Sequence, residues 1–234
     1  MKPSPLDNPV IWQLGPVPVT RPVVTTWVIM GVLALVAWLI TRRLRPDPAR
    51  PQMLLELIVS VIQEQIEAIT QRPARNLLPL VATLFVFITT ANLSGLLPGV
   101  QSPTGALETT AALAVIVFFS VHYFGIRARG WRGHLASFAQ PKWMMLPLNL
   151  LAEVTRTLAL SVRLFGNVMS GEFVIAMVAA LAGLLVPIPF MALELLVGVI
   201  QAYIFTVLAT VFIGAAVSGI ESGDAAAVDK TPSR

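Results

Sequence analysis

The chain has no cysteine, so disulfides, thiol nucleophiles and thiolate metal sites are all excluded. Histidine is nearly absent too. His122 and His134 do not stand at the spacing of a metal-ligand pair on a helix, and neither has a serine or acidic partner in a recognisable hydrolase arrangement. No Gly-rich nucleotide-binding loop is present, so any nucleotide chemistry belongs to other chains. Neither a cofactor nor a metal is expected. Charge is scarce: 12% of the 234 residues are charged, against about 25% in a soluble domain. Hydrophobic residues make up 56% and the mean hydropathy is +0.79. Such a chain reads as an all-α polytopic membrane protein with a single transmembrane domain.

The few charges are informative by position. Residues 1–22 form a Pro-rich extracytoplasmic segment without a signal-peptide pattern, so the first span is expected to act as the insertion signal. Residues 23–40 are long and apolar enough to cross a bilayer. In residues 52–70, Leu54, Leu55, Ile58, Ile62, Ile66 and Ile69 recur at helical spacing, with Glu56, Gln63, Glu64 and Glu67 opposite. That pattern predicts an amphipathic surface helix. Further spans are expected at 77–98 and 109–126, and a long tilted hairpin at 144–219, broken at 181–189 by Gly183, Pro187 and Pro189. The transmembrane domain is thus 23–219, and 220–234 is a polar cytoplasmic tail. Arg42, Arg43, Arg45, Arg50, Arg72, Arg75, Arg127, Arg129, Arg132 and Lys142 fall in alternate loops, and only Lys2 and Arg21 oppose them. The positive-inside rule then predicts five crossings, with the N-terminus outside and the C-terminus in the cytoplasm. The basic residues act through loop topology, so no nucleic-acid partner is expected.

One cation lies inside an apolar run. Arg163 has no charged residue in the six before it or the eight after it. A guanidinium at bilayer depth costs at least about 2.5–3.5 kcal/mol, and it does not escape by deprotonation. It needs an anionic partner or a wet path, which points to an ion pathway. Folding the hairpin about residues 182–183 sets Arg163 level with Gln201, and Glu172 level with Glu194. Glu172 lies about 13–14 Å along the helix from Arg163 and half a turn out of phase, too far for a salt bridge. Two carboxylates at one depth repel, which favours an aqueous cavity on the outer side. The bland readings are a structural arginine, satisfied buried acids, and Asn167 and Gln201 as interhelical glue. Asn92, Ser94 and Gly95 read only as a helix end. A secondary transporter with a Glu coupling pair is the competing class, but such folds often show inverted repeats, and here no repeat is seen and the polar residues are confined to the last two helices.

The run Ser161-Val-Arg163-Leu-Phe-Gly-Asn167-Val-Met-Ser-Gly-Glu172 closely resembles the signature of subunit a of F-type ATP synthases. Ile200-Gln201-Ala-Tyr-Ile-Phe205 is similar to that family's last-helix motif, and Asn92-Leu-Ser-Gly-Leu-Leu-Pro98 to the exit of an earlier helix. The resemblance covers roughly residues 23–219. It implies a bacterial inner-membrane stator that stands beside the ring of c subunits and is held by peripheral-stalk b subunits. By the same resemblance Arg163 faces the ring between two half-channels, and Asn167, Glu172, Glu194 and Gln201 line the access path. The position of Glu194 is His in some relatives. The Val168-Met-Ser-Gly-Glu172 wording is similar to that of the Na⁺-pumping branch. Ion choice sits mainly in the c subunit, so H⁺ and Na⁺ both stay open.

Overall fold

The computed structural model describes residues 10–14, 17–42, 50–71, 73–96, 100–138, 144, 146–183 and 185–218. Arg43, Arg45, Arg72, Pro98, Lys142 and the tail at 220–234 lie outside the described residues, as do residues 1–9 with Lys2. The described residues form six helices: α1 (Arg21–Thr41), α2 (Arg50–Thr70), α3 (Leu78–Ser94), α4 (Leu107–Phe138), α5 (Leu146–Ala182) and α6 (Ile188–Ser218). Ahead of them stands a feature the sequence pattern did not announce. Strands β1 (Val10–Leu14) and β2 (Val17–Thr20) form a small antiparallel hairpin, with Leu14 opposite Val17 and Val10 opposite Thr20. Both strands are edges, so Pro18 costs no ladder bond that an inner strand would need.

Helix α1 begins with Pro22 in its first turn, where the missing N–H is no loss. Thr25 and Thr26 turn their hydroxyls back to the carbonyls of Arg21 and Pro22, at 3.1 and 2.8 Å. Trp27, Val28, Met30, Leu35, Trp38 and Leu39 are all exposed. Such a patch is a lipid-facing surface rather than a water-facing one. At its end Arg42 sits over the Trp38 ring, 4.8 Å from the centroid.

Helix α2 is amphipathic as its spacing demands. Ile62, Ile66 and Thr70 are buried against α3 and α6, while Glu56, Glu64 and Glu67 are exposed. It carries i,i+4 bonds from the buried Gln52 to Glu56 (2.9 Å) and, on its exposed side, from Gln63 to Glu67 (3.1 Å). Helix α3 has 17 residues, at the short limit for a span, and buries Val81, Leu84, Ile88 and Ala91 along one stripe. It is shorter than the 77–98 span expected from hydropathy. A 3₁₀ turn (Pro103–Gly105) leads into α4, which runs well past residue 126 and breaks at Gly130 (φ 74°). α1, α4, α5 and α6 are long and apolar enough to cross a membrane.

Helix α6 is the hub. It packs against α2, α3, α4 and α5, and buries Gln201, Ala202, Phe205, Ala209 and Ile213. Between membrane helices, lipid supplies no hydrophobic drive, so close van der Waals fit matters most. Small residues at the crossings (Ala91, Ala114, Ala202, Ala209) provide that fit, and all are at most 1% exposed. Helix α5 packs on α4, α6 and the Pro103–Gly105 turn, and buries Glu153, Leu160, Ser161, Leu164 and Val168. The turn to α6 follows Gly183, whose φ of 84° is a conformation an L side chain resists.

Candidate ion-translocation site

Helix α5 carries polar side chains on two faces. Arg156, Arg163 and Ser170 are exposed on one stripe. Arg156 is engaged: Glu153 lies 3.4 Å from it, and its guanidinium stands 4.8 Å from the Phe212 ring centroid. Arg163 is different. Among the described residues it has no hydrogen-bond or ion-pair partner, and the space beside Gly166, three residues on, is open. Helix α5 is little covered around it: Leu158 and Val162 are exposed as well.

The rest of the polar set converges between α5 and α6. Asn167 donates its Nδ2–H to Gln201 Oε1 at 3.2 Å. Gln201 is only 4% exposed, and its Nε2 has no partner among the described residues. Glu194 lies against the bare backbone of Gly171, where an added Cβ would stand 2.6 Å from its Oε1. Glu172 turns to the 3₁₀ turn, with both carboxylate oxygens 3.3 Å from the place a Gly105 Cβ would take. The Ser102 backbone N–H is in reach of the same carboxylate. All four residues, Asn167, Glu172, Glu194 and Gln201, line one cavity of about 230 Å³. A second cavity of about 190 Å³ shares Gln101, Ser102 and Glu172 with it and is rimmed by Pro22 and Glu108. Glu172 therefore stands between two hollows. Arg163 lines neither of them. It lies one turn below the Asn167–Gln201 bond, outside the cavity.

Sequence reasoning missed the opposite wall. Asn92 on α3 donates to the Gly198 carbonyl on α6 at 2.7 Å, and accepts from Thr104 Oγ1 at 2.6 Å. Ser102 and Thr104 share a 2.7 Å bond, and Ser102 also reaches the Ala91 carbonyl at 3.0 Å. Asn92, Gln101 and Ser102 line the larger cavity, and the Gln101 Oε1 is buried without a partner. The available signal was an amide near the end of an apolar span followed by a loop that carries Gln101, Ser102 and Thr104. A side chain on Gly198 would meet Asn92 Cβ at 3.0 Å. Gly198→Leu is accordingly expected to force α3 from α6 and cost about 1–3 kcal/mol. Asn92→Ala removes two bonds, each worth about 1 kcal/mol. Thermal unfolding of the two variants in detergent checks both, and an unchanged midpoint in either counts against this junction.

Chemically, the cavity offers two carboxylates, four amides and one hydroxyl, and no cation among its described lining residues. Such a lining is chemically suited to solvating a cation or relaying a proton. Among the described residues no group of three His, Cys, Asp or Glu could hold a metal ion. Residues 23–214 match the ATP synthase A chain family. The chain belongs to the ATP synthase subunit a family. An "ATP synthase subunit a 2" from a Bradyrhizobium species is 63% identical over 95% of this chain and all of its own length. Proteins of the same description from Pelobacter propionicus and Acaryochloris marina are 49% and 46% identical, over 91% and 90% of this chain and 93% and 91% of theirs. The chain is thus a multi-pass membrane protein and the stator subunit a of an F-type ATP synthase, working in ion transport coupled to ATP synthesis. Family membership decides against the secondary-transporter class.

Proposed function

We propose that this subunit provides two offset half-channels for H⁺ or Na⁺ and uses Arg163 to couple their flow to rotation of a c-subunit ring. The observation that carries the reading is the separation of the two polar groups on α5. Glu172, Glu194, Asn167 and Gln201 gather in one cavity, while Arg163 stands alone and unpaired on the open face. A carboxylate carried by a ring through lipid must be neutral, so it holds a proton or Na⁺. Opposite Arg163 the ionised carboxylate is favoured, because an adjacent cation stabilises the anion. The arginine therefore strips the ion from each arriving site. It also fills the gap between the half-channels with a fixed positive charge, which repels a leaking cation. Each elementary charge crossing 100 mV is worth about 2.3 kcal/mol, so several must pass per ATP. The c-ring covers the α5–α6 face, and b subunits hold the chain against rotation.

The orientation follows from the loops. The cavity with the glutamates opens on the outer side, the N-terminus is outside and the C-terminus is cytoplasmic. The absence of cysteine makes this directly testable. Glu108 and Arg132 are exposed, one at each end of α4. In sealed inner-membrane vesicles of known sidedness, a single Glu108→Cys is expected to react with a membrane-impermeant maleimide only from the periplasmic side. Arg132→Cys is expected to react only from the cytoplasmic side. Labelling of both from one side rules the topology out.

A further inference from the structure

A cavity of about 450 Å³ lies at the other end of the helices from the glutamates, where α2, α4 and α6 meet the turn before α3. Its wall carries Arg75, Asn76 and Arg127, with Thr70, Phe124 and Gly214 behind them. Arg75 and Asn76 are exposed on a 3₁₀ turn (Ala74–Asn76) at the foot of α3. Arg127 is exposed on α4, with one arm held by the Tyr123 hydroxyl at 3.2 Å. No carboxylate lines this cavity. The nearest acid along the chain, Glu67, is already engaged, since Gln63 Nε2 and the Ala74 N–H both donate to its Oε1 at 3.1 and 3.3 Å. Two guanidiniums thus share a hollow at the interface with no counter-ion among the described residues that line it.

A second hollow of about 270 Å³ adjoins it towards the middle of the membrane. It is lined by Leu57, Val61 and Ile69 of α2, Phe85 of α3, and Tyr203 and Val207 of α6. One stripe of α6 runs from this groove into the basic cavity: Tyr203, Val207, Thr210, Gly214 and Val217. On α2, Ile69 belongs to the groove and Thr70 to the cavity. The threonines do not make the groove polar. Thr206 and Thr210 bond back to the carbonyls of Ala202 and Thr206 at 2.7 and 2.9 Å, and so turn methyls outward.

We infer that this pair of hollows is a binding site for an anionic phospholipid, with its phosphodiester headgroup between Arg75 and Arg127 and an acyl chain in the groove. Basic pockets between membrane helices suit such headgroups, and guanidiniums match phosphate oxygens in pairs. An acidic peptide fits the basic end as well, but in the groove its backbone N–H and C=O groups would go unsatisfied at several kcal/mol each. A hydrocarbon chain has no such groups. A lipid seated here would fasten α2 to α6 on the side away from the glutamate cavity. The site is therefore independent of the ion path.

The test is lipid titration of the delipidated, full-length chain in neutral detergent, read by native mass spectrometry with phosphatidylglycerol and phosphatidylcholine. The wild type is expected to prefer phosphatidylglycerol by roughly tenfold or more. Arg75→Gln and Arg127→Gln should each weaken phosphatidylglycerol binding about fivefold, and together about thirtyfold. Arg42→Gln, at the end of α1, should change nothing. Val207→Trp fills the groove with charge untouched, and should weaken dioleoyl but not dihexanoyl phosphatidylglycerol. Equal binding of the two headgroups by the wild type overturns the proposal whatever the variants do. So does undiminished binding in the double variant, or displacement of the lipid by millimolar inorganic phosphate. Loss of a stalk subunit from the complex, with lipid binding intact, would assign the cavity to a protein partner instead.

Discussion

Membranes carrying Arg163→Ala should make no ATP from an ion gradient, although the complex assembles normally. The second half of that expectation comes from packing. Arg163 is exposed, and among the described residues it holds no hydrogen bond or ion pair. Truncating it takes no contact from the fold, and such surface changes are usually within about 0.5 kcal/mol of neutral. The first half comes from charge. Without a cation on the open face of α5, nothing favours release of the ion from a passing carboxylate. Nothing then bars a cation from crossing between the half-channels. Arg163→Lys should fail nearly as badly. An ammonium is a compact, strongly hydrated point charge, and it lacks the planar fork that can engage a moving carboxylate from several angles. Both variants are to be purified, checked for subunit content and thermal midpoint, and assayed for ATP synthesis in vesicles under an imposed gradient. Synthesis near the wild-type rate with alanine at 163 would sink the coupling role. Loss of assembly would instead mark Arg163 as a structural residue.

The sequence was most legible where physics leaves one interpretation. Trp27 to Leu39 on α1 has no polar face, so only a lipid-exposed helix accounts for it. Of the α2 stripe that a 3.6-residue period predicts, Ile62 and Ile66 are buried, whereas Ile58 is exposed at its edge. The hairpin register was nearly readable from residue numbers alone. Glu194 rests on Gly171, one residue from the Glu172 level expected, whereas Gln201 bonds Asn167 and not the level of Arg163. Packed helices generally cross at an angle, and a flat projection takes no account of that. Other features had no local signal. Asn92 finds Gly198 106 residues away, and a lone amide near a helix end gives no hint of such a partner. The β1–β2 hairpin was masked by its prolines, which read as loop unless both strands are known to be edges. The basic cavity was invisible for another reason. Arg75 and Arg127 both counted only as loop charges that set topology, and counting discards where they meet.

For Glu172 and Glu194, ion flux is expected to tolerate either loss and not both. The two line one cavity but reach it differently. Glu194 lies on the Gly171 backbone, while Glu172 bears on Gly105 of the 3₁₀ turn and also borders the second hollow. An ion arriving past Gln101 and Ser102 thus meets two carboxylates in succession, each within the same polar passage. Glu172→Gln or Glu194→Gln leaves the other acid, the Asn167–Gln201 pair and water to relay it. Each should slow ATP-driven and passive flux by about three- to tenfold, a barrier rise of about 0.7–1.4 kcal/mol. The double substitution removes every carboxylate from the cavity lining and should lose more than the product of the single effects, beyond about 100-fold. Glutamine keeps the shape and both polar atoms, so the cavity itself should survive. Flux in reconstituted vesicles, measured for the wild type, the two single variants and the double variant, decides the matter. Purely multiplicative losses would mean that the acids act in separate steps and do not stand in for one another. Unchanged flux in the double variant would mean that they only pack α5 against α6 and the 3₁₀ turn, and that ions reach the ring by another route.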